Sequence, residues 1–292
     1  MGKIPETELI LNQDGSVYHL NLLPGDIAPV VFMVGDPDRV SLVSSHFDKI
    51  TIKKQRREFI THTGTFKNVP VTVISSGIGT DNIDIVMNEL DALVNVDLKS
   101  REEKSERTSL KLIRLGTCGA LHADIPPDAR IFSTHGLGLD GLLHFYKYEN
   151  TAKEEIMLTI FKGFYTAYTR SADPYLFACS PFFEKLFQKE TYKGITATCS
   201  GFYGPQGRSI RAKLHHELLP ETLNSFSFDG CRIANFEMET AAIYGMSRIL
   251  GHDAASLNIV VANRITKAFS RGYNPAVDEM IRYALEKVTA AV

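Results

Sequence analysis

The stretch Val30-Val31-Phe32-Met33-Val34-Gly35-Asp36-Pro37 decides the fold. Five consecutive apolar residues suit a strand buried on both faces, since a half-exposed strand would alternate. Gly35 ends the run, and Pro37 suits the first turn of a following helix, where its missing N–H is no loss. A buried strand that gives way at once to a helix is the repeating unit of an α/β domain.

Outward from it, apolar runs alternate with helix-like segments. Residues 58–66 and 69–75 read as two strands joined at Lys67-Asn68. Ser76-Gly77-Ile78-Gly79-Thr80-Asp81 is a small-residue turn before a helix with Ile83, Val86, Met87, Leu90 and Leu93 at helical spacing. Residues 112–115, 195–199, 233–236 and 256–262 are strand candidates. A helix over 275–292 places Val277, Met280, Ile281, Ala284 and Val288 on one face. The densely charged run 97–107 contains little that could enter a core and reads as a solvated surface loop. With no repeat or linker in sight, one domain over 1–292 is expected.

At 292 residues the chain can bury a substantial core. Lys+Arg at 32 against Asp+Glu at 34 gives no reason to expect a nucleic-acid partner. Cys118, Cys179, Cys199 and Cys231 show no C-x-x-C spacing, so neither a zinc site nor a disulfide framework is indicated and a reducing cytoplasm is expected. No apolar run reaches the roughly 18 residues of a membrane span, and the charged amino-terminal segment does not read as a signal peptide.

Chemistry concentrates in a few motifs. Gly35-Asp36-Pro37-Asp38-Arg39 puts a glycine at a strand end and an arginine one turn into a helix, where N–H groups and a cation can face an anion. Arg114 interrupts an apolar strand in Leu112-Ile113-Arg114-Leu115-Gly116-Thr117-Cys118-Gly119 and requires a buried partner, either a bound anion or a carboxylate of the chain itself. In Gly201-Phe202-Tyr203-Gly204-Pro205-Gln206-Gly207-Arg208, a planar amide and a planar guanidinium can pair with a heterocycle while the upstream aromatic covers its face; both aromatics also fit a core role. Asn235-Phe236-Glu237-Met238-Glu239-Thr240-Ala241 brings a carboxylate to a strand–helix junction, suited to two ribose hydroxyls. On a helix Glu237 and Glu239 would point to different sides, so Glu237 is expected to support and Glu239 to touch ligand. Gly77-Ile78-Gly79 lacks the third glycine of a dinucleotide fingerprint. His215-His216 reads as a solvated pair, and Cys118, with no activating base in view, as a packing residue.

Jointly, Gly-Asp-Pro-x-Arg, Arg57-Glu58-Phe59, Arg-x-Gly-Thr-x-Gly, Phe-Tyr-x-x-Gln-x-Arg and Glu-Met-Glu resemble the uridine phosphorylase branch of the nucleoside phosphorylase family, in the same order across residues 18–264. The resemblance implies a single three-layer domain, a central mixed twisted sheet flanked by helices, with 97–110 as a charged surface insertion. It implies cleavage of uridine or a related pyrimidine nucleoside, with inorganic phosphate as co-substrate and no cofactor or metal. Phosphate would lie among Gly35, Arg39, Arg114 and Thr117, with Arg57 reaching in from a neighbouring subunit. Met238 and Glu239 would hold the ribose, with His19 approaching from the partner chain, and Phe202, Gln206, Arg208 and Arg264 would hold the base. Arg114, Thr117, Gln206, Arg208 and Glu239 would carry the reaction, and a homo-oligomer, at least a dimer, would be required. Asn263 stands where purine-cleaving relatives carry an aspartate that protonates the base, which favours a pyrimidine. Relatives that bind a monovalent cation do so through positions that fall here at Glu58, Ile78 and Asn82, and Asn82 replaces a serine. Purine phosphorolysis, hydrolytic nucleoside cleavage and non-catalytic nucleoside binding are the alternatives.

Overall fold

The computed structural model describes residues 2–165 and 172–292. In the first half of the chain the elements are β1 Val30–Val34, α1 Asp38–Ser44, β2 Lys49–Arg56, β3 Phe59–Phe66, β4 Val69–Ser75, α2 Thr80–Asn95, β5 Val96–Asp97, β6 Glu102–Glu103, β7 Lys111–Ala120 and β8 Arg130–Gly138. The second half contributes α3 Ala152–Tyr165, β9 Tyr175–Ala178, α4 Pro181–Phe187, β10 Tyr192–Thr198, α5 Leu219–Asn224 and β11 Ser227–Phe228. It ends with β12 Cys231–Glu237, α6 Thr240–Leu250, β13 Asp253–Asn263 and α7 Asn274–Thr289.

Eleven strands form one mixed sheet in the order β11-β12-β10-β8-β13-β7-β1-β4-β3-β2, with β9 on β8. β1 lies between β4 and β7, parallel to both, and all five of its residues are buried, which accounts for the unbroken apolar run. β12 pairs with β7 as well as with β10, so β7, β13, β8, β10 and β12 close into a circuit. The mixed sheet flanked by helices agrees with the expected α/β architecture, and the closure is a feature the strand patterns did not indicate.

Helix α2 turns Ile83, Val86, Met87, Leu90 and Leu93 into the core, and α7 does the same with Val277, Met280, Ile281, Ala284 and Val288. Helix α6 approaches the circuit so closely that a Cβ on Gly136 of β8 would stand 2.5 Å from the Ala241 Cα. That contact sets the height of the α6 amino terminus above the strand ends, where Glu239 sits.

Several elements differ from the sequence reading. β2 alternates exposed and half-buried positions and carries four basic residues, Lys49, Lys53, Lys54 and Arg56; it is the polar outer strand of the sheet, where charge discourages further pairing. β7 runs well past Leu115 to Ala120, because its Gly-Thr-Cys-Gly continuation pairs with β13 and β12. Part of the charged segment is not irregular: β5 and β6 form a small antiparallel ladder, Leu98 and Leu110 are buried, and Arg101 accepts from the Ile4 N–H (2.8 Å) and donates to the Leu9 carbonyl (2.5 Å), tying down the amino-terminal segment.

Helix α3 starts with a reciprocal cap, in which the Thr151 N–H donates to Glu154 (2.8 Å) and the Glu154 N–H to the Thr151 hydroxyl (3.3 Å). The same carboxylate accepts two hydrogen bonds from Arg248 (2.6 and 2.7 Å) and one from the Ala178 N–H (2.7 Å), joining α3, β9 and α6. Burial pushes this carboxyl up, but the Arg248, Ala178 and Thr151 donors outweigh it and bring it from 4.5 down to about 2. A depressed carboxyl stabilises the fold above its unfolded value and loses that contribution as pH falls through the folded one. Glu154→Ala is therefore expected to lower unfolding free energy by about 3 kcal/mol at neutral pH. The gap to wild type should close as pH falls from 4.5 to about 2, as urea titrations at several pH values would reveal.

Candidate active site

A cleft of about 780 Å³ opens where β1, β4, β7, β10, β12 and β13 end or bend, the carboxyl-end position favoured in α/β sheets. Gly35, Arg39, Arg114, Thr117, Phe202, Gln206, Arg208, Met238 and Glu239, expected from sequence, all line it.

At one end Arg114 projects from the middle of β7 and is 5 % exposed. It bonds to Glu239, lies 3.2 Å from Glu237, and donates through Nη1 to the Asn258 side-chain carbonyl. Burial works against the Arg114 charge, yet Glu237 and Glu239 hold its pKa above the ordinary value. Both sequence readings of Arg114 therefore meet in one residue: it has carboxylate partners within the chain and still faces the cleft. Arg39 differs. Its Nη1 donates to the Leu115 carbonyl (3.2 Å), and it forms no ion pair among the described residues. Burial holds the Arg39 pKa down, Asp36 opposes, and the like charge of Arg114 adds to the depression. Two guanidinium groups that disfavour one another, one without an ion-pair partner among the described residues, suit an anion.

Glu237 and Glu239 divide their work. Glu237 accepts from Thr198 (2.7 Å), from the Glu239 N–H (2.9 Å) and from the Thr240 N–H (3.0 Å), satisfying orphan donors at the start of α6. Glu239 instead accepts from the Gly79 N–H (2.8 Å) and from Arg114, so the turn before α2 and the start of α6 meet on one carboxylate. Burial raises the Glu239 carboxyl above its ordinary value, against the pull of Arg114 and with the push of Glu237.

At the other end Gln206 is buried, and its Oε1 accepts from Arg208 (2.5 Å), so the amide and the guanidinium are already aligned. Arg208 also donates to the Phe202 carbonyl (2.8 Å) and lies 3.9 Å over the Phe202 ring. Burial, with Arg264 adding to it, brings Arg208 down to about 10. Phe202 and Tyr203 are 51 % and 55 % exposed, which rules out the core reading for both. Arg264 stands behind the cleft wall and donates to the carbonyls of Gln206 (3.0 Å) and Gly207 (3.2 Å), so it braces the loop from outside the lining.

Three further expected residues lie apart from the cleft lining. Arg57 is exposed at the β2–β3 turn, with φ +54°, and His19 is half-buried with Nδ1 held 2.7 Å from Glu89. The Asn263 amide donates to the His122 and Ile125 carbonyls (2.7 and 2.8 Å) and accepts from the Ile265 and Thr266 N–H groups (both 2.9 Å). It organises backbone, and an aspartate there would forfeit both donations. Asn82 donates to Glu58 (3.3 Å), so the amide itself occupies that carboxylate. His216 bonds Thr222 (3.0 Å) and is half-buried, unlike a purely solvated residue.

Sequence reasoning passed over Phe236, Phe269 and Tyr273 on the cleft wall, and Glu89. Phe236 sits between Arg208 and Arg264, 5.7 and 5.2 Å from ring centre to guanidinium, and its place beside Glu237 in the Asn235–Ala241 motif is the signal that could have found it. Phe269 and Tyr273 belong to the stretch after β13, which carries no motif. Glu89 accepts from the His19 and Leu20 N–H groups as well as from the His19 ring, a contact 70 residues apart in sequence.

A strand-end cleft with paired guanidinium groups, a buried carboxylate and a preset amide–guanidinium pair defines a small-molecule enzyme of the α/β class. The sequence model described as the Phosphorylase superfamily matches residues 29–290, and the chain belongs to that family. It is 29 % identical over 270 residues to a uridine phosphorylase of Thermococcus kodakarensis, covering 91 % of this chain and 83 % of the relative. It is 29 % identical over 255 residues to the uridine phosphorylase of Escherichia coli, covering 85 % and 86 %. The crystal structure of a Trypanosoma brucei nucleoside phosphorylase said to show uridine phosphorylase activity superposes with a TM-score of 0.86 at 30 % identity, over 97 % of this chain and 99 % of that one.

Cys118 lines the same cleft, but burial, with Asn235 and Arg114 opposing, pushes its thiol up to about 12. In the folded protein Cys118 is expected to stay unalkylated by iodoacetamide at pH 8, as peptide mapping would show. Arg39→Ala should weaken binding of inorganic phosphate by about tenfold or more, the usual loss for a charged hydrogen bond. Calorimetric titration with phosphate measures it.

Proposed function

We propose that the protein is a phosphate-dependent pentosyltransferase that converts uridine and inorganic phosphate to uracil and α-ribose 1-phosphate. The observation that carries this reading is Arg39: a half-buried cation with no ion pair among the described residues, beside Arg114, in the cleft that also holds Glu239 and the Gln206–Arg208 pair. The relatives named uridine phosphorylase support it, and purine cleavage has weaker support among them.

In the proposed mechanism, phosphate bound by Gly35, Arg39, Arg114 and Thr117 lies below the sugar, and Met238 and Glu239 engage the ribose. A phosphate oxygen forms the new bond to the anomeric carbon while the glycosidic C–N bond breaks, and its electron pair leaves with the base. Positive charge builds on the sugar, close to the phosphate, while negative charge builds on uracil. Arg208 and Gln206 stabilise the departing anion; their mutual hydrogen bond orients them before substrate arrives. Phe202 covers the base, and Arg264 keeps the loop from yielding through its two carbonyl contacts. Much of the acceleration comes from positioning, which can reach roughly 7–11 kcal/mol. Phosphate is the co-substrate, no cofactor takes part, and displacement on one face inverts the anomeric centre.

Arg57 and His19 lie outside their own cleft, which favours a homo-oligomer, at least a dimer, in which each completes a neighbour's site. Glu89 fixes the His19 ring by its Nδ1, leaving Nε2 for a sugar hydroxyl. The four free cysteines suit a reducing cytoplasm, and among the described residues no helix is long and apolar enough to cross a membrane.

Uridine, thymidine and inosine, each with and without phosphate, test the reaction. Uracil and ribose 1-phosphate are expected from uridine only when phosphate is present. Free ribose without phosphate would mean hydrolysis, and faster release of hypoxanthine would mean a purine enzyme. Arg208→Ala should impair uridine turnover far more than phosphate binding, and Arg114→Ala should weaken phosphate; equal losses of phosphate affinity would contradict these roles.

A further inference from the structure

We propose that Asn258 is a positioning residue for the anion site, aiming the Arg114 guanidinium from inside the closed strand circuit; this rests on Arg114 being a phosphate ligand. Arg114 and Asn258 stand on adjacent parallel strands, β7 and β13, and their side chains meet end to end. One terminal nitrogen of Arg114 faces the two glutamates, and the other donates to the Asn258 carbonyl oxygen. The guanidinium is thus gripped from both sides, and its plane is fixed.

Asn258 can serve only if its amide faces the right way, since a flipped amide would set two donors against a cation. The interior opposes the flip: Thr196 gives its proton to the Asn235 side-chain oxygen (2.6 Å), so Ser133 donates to Thr196 and offers only its oxygen to Asn258. Its Nδ2 donates to Ser256 (3.0 Å) and Ser133 (3.3 Å); Ser256 is bonded to Thr240 (2.9 Å) and Ser133 to Thr196 (2.6 Å). All five of these side chains are fully buried. Apolar residues of like volume would stabilise such an interior at least as well, so its polarity calls for another reason, and orientation of Arg114 supplies one. The backbone beneath is fitted to the same end. A Cβ on Gly116 would lie 1.7 Å from Arg114 Nη1 and 2.5 Å from Asn258 Oδ1, so only glycine leaves room for the pair. Asn258 itself does not line the cleft, and its influence on an anion must pass through Arg114.

A double-mutant cycle tests this. Asn258→Ala is placed in the wild-type and the Arg114→Ala backgrounds, and inorganic phosphate affinity is measured by calorimetry, with kcat/KM for phosphate at saturating uridine as a second readout. The expected result is a loss of about tenfold in the wild-type background and none in the Arg114→Ala background. Equal losses in both, or no loss in the first, overturn the proposal. Ser133→Ala, which releases one anchor of the amide, should give a smaller loss with the same dependence on Arg114, and it carries the test if Asn258→Ala does not fold. Phosphate binding by wild type without uridine turnover would sink the uridine reading and leave the affinity cycle decisive for Asn258. Absence of phosphate binding by wild type would sink both.

Discussion

The anion end of the cleft is arranged around a single problem, a guanidinium buried in the middle of a strand. An arginine at that depth is tolerable only with opposite charge and full hydrogen bonding. Arg114 obtains these from Glu239 at the foot of α6, from Glu237 two residues earlier at the end of β12, and from Asn258 on the neighbouring strand. Those partners in turn determine where α6 begins, how closely it rests on Gly136, and why the turn at Gly79 is drawn to the same carboxylate. Remove the cation and two buried carboxylates are left facing each other.

Closure of five strands into a circuit gives this cation a polar enclosure within an otherwise hydrophobic sheet. Strands β1, β4 and β3, beyond the circuit, pack against an aliphatic and aromatic core, whereas the interior of the circuit includes Ser133, Thr196, Asn235, Ser256 and Asn258. The contrast separates two tasks. Apolar packing holds the helices in place, and the polar circuit holds the chemistry. The base end follows a different logic: Gln206 and Arg208 sit on a loop after β10, and their alignment comes from contacts within that loop and from Arg264 behind it.

Much of this was legible in the chain itself. The run 30–37 announced a buried strand and helix because both faces of β1 are covered, and Arg114 announced itself by breaking an apolar pattern. Residues that meet only through tertiary structure were invisible: Glu89 reaches His19 across 70 residues and Asn258 reaches Arg114 across 144, and neither lies in a motif. Closure was illegible for a similar reason, since the pairing of β12 with β7 rests on only two residue pairs, Asn235 with Ala120 and Phe236 with Gly119. The polar outer strand β2 was passed over because its lysines mask the alternation. Asn263 stands at a position matched to a base-protonating aspartate, yet its four hydrogen bonds to backbone turn it inward, an orientation that only the fold reveals.

Gly116 links this architecture to the chain's tolerance of change. The atom that an added methyl group would strike first is the tip of a long side chain, and the tip of an arginine can swing aside where a backbone cannot. A missense change at this position would therefore spare the backbone of the sheet but push the cation out of its socket, leaving Glu237 and Glu239 buried without their partner. Such a lesion registers twice, as a lowered melting temperature and as a lost ligand affinity, so a screen that reads folding alone would file a chemical defect as a structural one.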